Sequence, residues 1–100
     1  MSGVNNDKLW WVYFVRTPQN SLYCGITTNV ERRFNQHVKG TGAKALRGKS
    51  PLELVWHYQV GPTKGEALRM EYKLKKLTKR QKETLITAND PREVLKSYNA

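Results

Sequence analysis

Residues 9–27 read LWWVYFVRTPQNSLYCGIT, two runs rich in aromatic and β-branched side chains parted by Pro18-Gln19-Asn20. Such side chains favour a pleated backbone, and proline and asparagine favour a reversal. Leu9–Thr17 and Ser21–Thr27 therefore read as the paired strands of a hairpin. In the first run Trp11, Tyr13 and Val15 fall on one parity and Trp10, Val12 and Phe14 on the other. A strand apolar on both faces is covered on both, which places it at the centre of its sheet.

Outward from the hairpin, Thr28-Asn29-Val30-Glu31 fits a capping box, opening a helix over Asn29–Val38 that stops near Gly40. Lys39–Pro51 is a basic loop punctuated by glycine. Leu52–Val60 is a third strand, with Leu52, Leu54, Trp56, Tyr58 and Val60 alternating onto one face. Thr63-Lys64-Gly65-Glu66 is a second capping box, for a helix reaching about Leu77. Thr78 caps a further helix from Lys79 to about Thr87, and Pro91–Tyr98 is a candidate short last helix. The order is ββαβαα, an α+β fold in which a three-stranded antiparallel sheet is flanked by helices. We expect one domain over residues 1–100, with its core at about 9–87 and a tail at 88–100.

The 100 residues carry 18 Lys plus Arg against 8 Asp plus Glu, a formal charge of +10, and 38% of them are hydrophobic, enough for a small core. The lone Cys24 has no disulfide partner, and with two histidines the chain lacks the ligands of a structural zinc site. No apolar run reaches the ~20 residues of a membrane span, and the first residues lack the layout of a signal peptide. A cytoplasmic protein, nucleoid-associated if bacterial, with no membrane partner is expected. The charge is localised: six basic residues against one acidic over Thr28–Ser50, and eight against two over Lys64–Lys82. Two cationic blocks on a nearly neutral remainder point to a polyanion, nucleic acid first.

Glu71 is the most informative position. At 100° per residue from Ala67 it lies at about 40°, inside the arc of Leu77, Met70, Leu74, Ala67 and Leu68, while Lys76, Arg69 and Lys73 lie opposite. An inward carboxylate is costly unless it meets a cation, a metal or a reaction, so Glu71 is either half of a buried ion pair or a functional group. Glu66 has a structural task in its capping box. On the preceding helix Arg33 and His37 border the stripe of Val30, Phe34 and Val38, and Arg32 points away. A guanidinium there suits either a phosphate clamp or an ion pair with Glu71. Tyr13 and Tyr23 lie on strand faces, where a ring is usually a core ring. Cys24 reads as a small core residue rather than a nucleophile, His57 has no assigned role, and Trp10, Trp11 and Trp56 could stack on bases but suit core packing.

Val12-Tyr13-Phe14, Tyr23-Cys24-Gly25, the helix bearing Arg33 and the later helix bearing Glu71 together resemble the GIY-YIG nuclease superfamily in order and spacing. The likeness to its small stand-alone bacterial members runs from Trp10 to about Ile86. It departs from the pattern at Val12 and Phe14, and where larger members place an asparagine this chain reads Lys79-Arg80-Gln81-Lys82-Glu83. The resemblance implies divalent-metal-dependent hydrolysis of DNA phosphodiesters, with Glu71 binding Mg²⁺ or Mn²⁺ and Arg33 holding the phosphate. Tyr13 and Tyr23 would position or deprotonate the attacking water, and Gly25 would permit close approach at the site.

A DNA endonuclease of low sequence specificity, serving repair or processing, is therefore expected, on branched or damaged DNA, with RNA a further candidate. Arg32, His37, Lys44, Arg47, Lys49, Lys73, Lys76, Lys79 and Arg80 are the expected DNA-binding residues, contributing affinity without reading bases. The alternatives are a nucleic-acid-binding module without catalysis, or a small protein docking in a repair or ribosomal assembly.

Overall fold

The computed structural model describes residues 8–88, so the candidate helix at Pro91–Tyr98 and the first seven residues lie outside the described residues. Strand β1 (Trp10–Arg16) buries Val12, Tyr13, Phe14 and Val15 to 1% exposure or less, on both parities as its sequence requires. It is the middle strand. β2 (Leu22–Thr27) and β3 (Glu53–Gly61) pair with it antiparallel on either side, in the order β2-β1-β3. The hairpin turns through Asn20 at φ 68°, a left-handed conformation that asparagine tolerates better than most side chains.

Helix α1 (Val30–Lys39) follows β2, and α2 (Lys64–Lys75) and α3 (Lys79–Ala88) follow β3. Alternation along β1 feeds two cores. On one face Val12, Phe14, Cys24 and Trp56 meet Leu74, Leu77 and Leu85 from the α2–α3 region. On the other, Tyr13 and Val15 meet Leu46, flanked by Tyr23, Phe34, Ala43, Leu52 and Leu54. Each fully buried large apolar side chain contributes on the order of 1.5–3 kcal/mol, so both layers hold the sheet in place. α3 is tied to the sheet by a two-pronged ion pair, Arg16 Nη1 and Nη2 donating to Glu83 at 2.6 and 2.8 Å.

Four local expectations are corrected. The cap of α1 is Asn29, whose side chain accepts from the Arg32 amide at 3.0 Å, so the box at Thr28 does not form; two adjacent residues can both cap, and Asn29 does. The buried side of α1 runs through Arg33, Phe34 and His37 rather than Val38, which is 47% exposed. A register shift between Phe14 and Val15 divides the β3 stripe, sending Leu52 and Leu54 to the Tyr13 layer and leaving Trp56, Tyr58 and Val60 in the other. Leu68, at the margin of the α2 arc, is 45% exposed. The other two helix starts stand as expected: Thr63 with Glu66, and Thr78 with Gln81, exchange reciprocal capping bonds.

Candidate active site

The centre of the site is the Tyr13 phenol. β1 aims it at the α1 face of the sheet, and its ladder partner on β2 is Gly25. A Cβ at residue 25 would stand 2.5 Å from Tyr13 Oη, so the glycine provides the floor over which the phenol lies. The close approach that residue 25 permits here is that of the phenol itself.

Tyr13 Oη is 2.7 Å from His37 Nε2. The loop after α1 folds back over the ring, and the Ala43 amide, which can only donate, meets Nδ1 at 3.2 Å. Nδ1 is therefore bare, the ring proton is on Nε2, and His37 donates to Tyr13. Burial, and then the positive charge of Arg33, hold the His37 pKa below its ordinary value, which keeps this neutral tautomer in place. Gly42 lets the loop pass, since a Cβ there would run into His37 Nδ1 and backbone.

Tyr23 completes the group, its ring centroid 6.4 Å from that of Tyr13 and 5.5 Å, edge-on, from that of His37. Burial, and next the charge of Tyr23, push the Tyr13 phenol up to about 12, while the hydrogen bonding and charge of Arg33 act in the opposite sense. Arg33 Nη1 also donates to Gln36 Oε1 at 2.9 Å. Tyr13, Tyr23, Arg33 and His37 thus form one cluster. His37 is 2% exposed and belongs to it, which corrects its expected place on the DNA-binding surface: the buried stripe of α1 is centred closer to it than the spacing implied.

Glu71 faces inward, with its side chain 17% exposed, and it pairs with Lys75 at 3.4 Å rather than with Arg33. α2 packs on the face opposite the phenols, where alternation along β2 presents Cys24 between Tyr23 and Gly25. Burial, and then the Glu71 charge, push the Cys24 thiol up to about 12, so the thiol is inert, as expected of a core residue. Glu71 is thus carried by the helix on the Cys24 face of the sheet, and the phenols lie on the other face of β1 and β2.

Among the described residues no group of three or more His, Cys, Asp or Glu could cage a metal. A single partly exposed carboxylate still suits Mg²⁺ or Mn²⁺, hard ions that keep several waters and use one or two carboxylates together with phosphate oxygens. The cations form two sets, all exposed. Arg32 on α1 and Lys44, Arg47 and Lys49 on the loop border the Tyr13 layer, where Lys49 and Tyr23 share a cleft of about 180 Å³. Lys73, Lys76, Lys79 and Arg80 lie along α2 and α3, with Lys76 over the Tyr72 ring and Lys79 paired to Glu83. The partnership of His37 with Tyr13 escaped the sequence reading; the signal it left was a histidine one turn after Arg33, followed by a glycine-rich loop.

The sequence matches the GIY-YIG catalytic domain over residues 9–84. It is 62% identical over 77 residues to a UPF0213 protein of Vibrio cholerae, covering 77% of this chain and 76% of that protein. It is 54% identical over 88 residues to the UPF0213 protein YhbQ of Salmonella typhimurium, covering 88% and 87%. The solution NMR structure of the UPF0213 protein BH0048 from Bacillus halodurans is similar at TM-score 0.52 and 41% identity, covering 85% of this chain and 90% of that one. Among the described residues no helix is long and apolar enough to cross a membrane.

Proposed function

Given that the chain belongs to the GIY-YIG family, whose catalytic domain implies a nuclease and a nucleic-acid substrate, we propose that it is a divalent-metal-dependent DNA endonuclease. The observation that carries this reading is the Tyr13 hydroxyl, buried yet held by the His37 Nε2 proton with Arg33 beside it. Both neighbours stabilise negative charge on Oη, so the phenolate is the form they favour against burial. Tyr13 is the group we assign to take the proton of the attacking water. Tyr23 orients that water, and the Arg33 fork offsets charge on the non-bridging oxygens.

The helix carrying Glu71 lies on the opposite face of the sheet from the phenols, an arrangement that accords with in-line displacement, in which the attacking and leaving oxygens stand on opposite sides of phosphorus. A phosphodiester laid along the free edge of β2 would meet the phenols from one side and Glu71 from the other. Glu71 is the residue that would hold Mg²⁺ or Mn²⁺, and the bound ion would supply positive charge to the phosphate and the departing oxygen. Arg32, Lys44, Arg47 and Lys49 on one side, and Lys73, Lys76, Lys79 and Arg80 on the other, would hold the flanking backbone without reading sequence. Such an enzyme suits repair or processing of branched or damaged DNA.

Metal-dependent nicking of plasmid and branched DNA by the wild type, Glu71→Gln and Arg33→Ala tests the reading. Cleavage by the wild type alone supports it. Salt-sensitive binding with no cleavage by any of the three would leave a binding module in its place.

A further inference from the structure

The α1 face of the sheet continues beyond the Tyr13 cluster into a surface of which the proposed reaction uses only Arg32. Trp11 is half-buried there, with the exposed His57 edge-on at 5.5 Å between ring centroids and the exposed Gln59 opposite it in the ladder. Trp11, His57, Gln59 and Leu54 line an open groove of about 700 Å³. Trp11 and Gln59 also wall a second hollow of about 330 Å³, rimmed by Lys8, Asn29 and Arg32. An aromatic face, amide and imidazole hydrogen-bonding groups and two cations are therefore side by side, with Trp11 common to both hollows.

We infer that Trp11, with His57 and Gln59, seats one unpaired DNA base beside the cleaved phosphodiester, its phosphate held by Lys8 and Arg32. The inference rests on the nuclease reading and names the substrate class of that site. Trp11 lies two residues from Tyr13 on the same face, about 7 Å along the strand, the scale of one nucleotide step on an extended chain. His57 is the ladder partner of Tyr13 on β3, and on β2 Trp11 pairs with Thr27, two positions from the Gly25 over which the phenol lies. Charge complementarity commits the occupant to a polyanion, and the indole commits it to a base with a free face. Inside a duplex both faces of a base are covered by its neighbours, whereas single strands, flaps and branch points offer one. The seat thus selects strands that are already unpaired.

The test is fluorescence anisotropy in EDTA, so that binding is read without cleavage, using a short oligothymidylate and an equally long strand of abasic residues. The wild type should prefer the oligothymidylate. Trp11→Leu should weaken it about tenfold, the scale of one base–aromatic stack, while leaving the abasic strand unchanged. His57→Ala, at an exposed position that folding does not need, should give a smaller loss with the same dependence on the base. Equal binding of the two strands by the wild type, or equal losses on both strands in the variants, would overturn the seat. A protein that cleaves DNA with base-independent binding refutes the seat alone; base-dependent binding without cleavage refutes the nuclease reading alone.

Discussion

Gly25 faces Tyr13 across the β1–β2 ladder, and the Tyr13 hydroxyl occupies the space a side chain at residue 25 would fill. The glycine of the second tripeptide therefore serves the tyrosine of the first. Gly25→Ala should displace the phenol from His37 and lower cleavage by about 10²-fold, the usual cost of an ångström of misplacement. Overpacking should also destabilise the fold by about 1–3 kcal/mol in urea titration. Unchanged turnover in a folded Gly25→Ala protein would detach the glycine from the site.

The His37 tautomer can be read directly. Nitrogen NMR should show a bare Nδ1 and a protonated Nε2, with a titration midpoint below the ordinary 6.5 because the ring is buried beside Arg33. The folded pKa is depressed, so the ring's contribution to stability is complete above 6.5 and is lost as pH falls through the folded value. His37→Gln should flatten that part of the stability profile. A proton on Nδ1 instead would refute the bond from Ala43.

Glu83 supplies a test away from the site. Its carboxyl is drawn down to about 2, chiefly by Arg16 and then by Lys79, and so favours the fold above its ordinary 4.5, an advantage lost as pH falls through about 2. Both partners are partly exposed, and solvent screening reduces the worth of the pair; Glu83→Gln should cost about 1 kcal/mol at neutral pH. Urea midpoints of the two proteins should converge in strong acid. A constant gap would mean that the loss is one of packing.

Much of this was legible in the residues because it is local. The doubly apolar Trp10–Arg16 gave its central position, the box at Thr63 and the cap at Thr78 gave the starts of α2 and α3, and helical spacing separated the inward Glu71 from the capping Glu66. What stayed hidden depends on packing between distant segments. Leu54 and Val55 are both apolar, so nothing local reveals the bulge that divides the β3 stripe. That the loop after α1 returns to His37, and that α2 packs on the face opposite the tyrosines, follow from which helix covers which face, a property of the assembled sheet.

A phenol pushed up to about 12 is protonated at neutral pH, so a Tyr13 base makes the reaction alkaline-driven. Single-turnover cleavage of branched DNA in Mn²⁺, followed from neutral to alkaline pH with wild type, Tyr13→Phe and Glu71→Gln, tests the account most directly. The wild-type rate should climb about tenfold per pH unit, with both variants slower by on the order of 10²-fold or more. A flat profile with Tyr13→Phe cutting at the wild-type rate would contradict it.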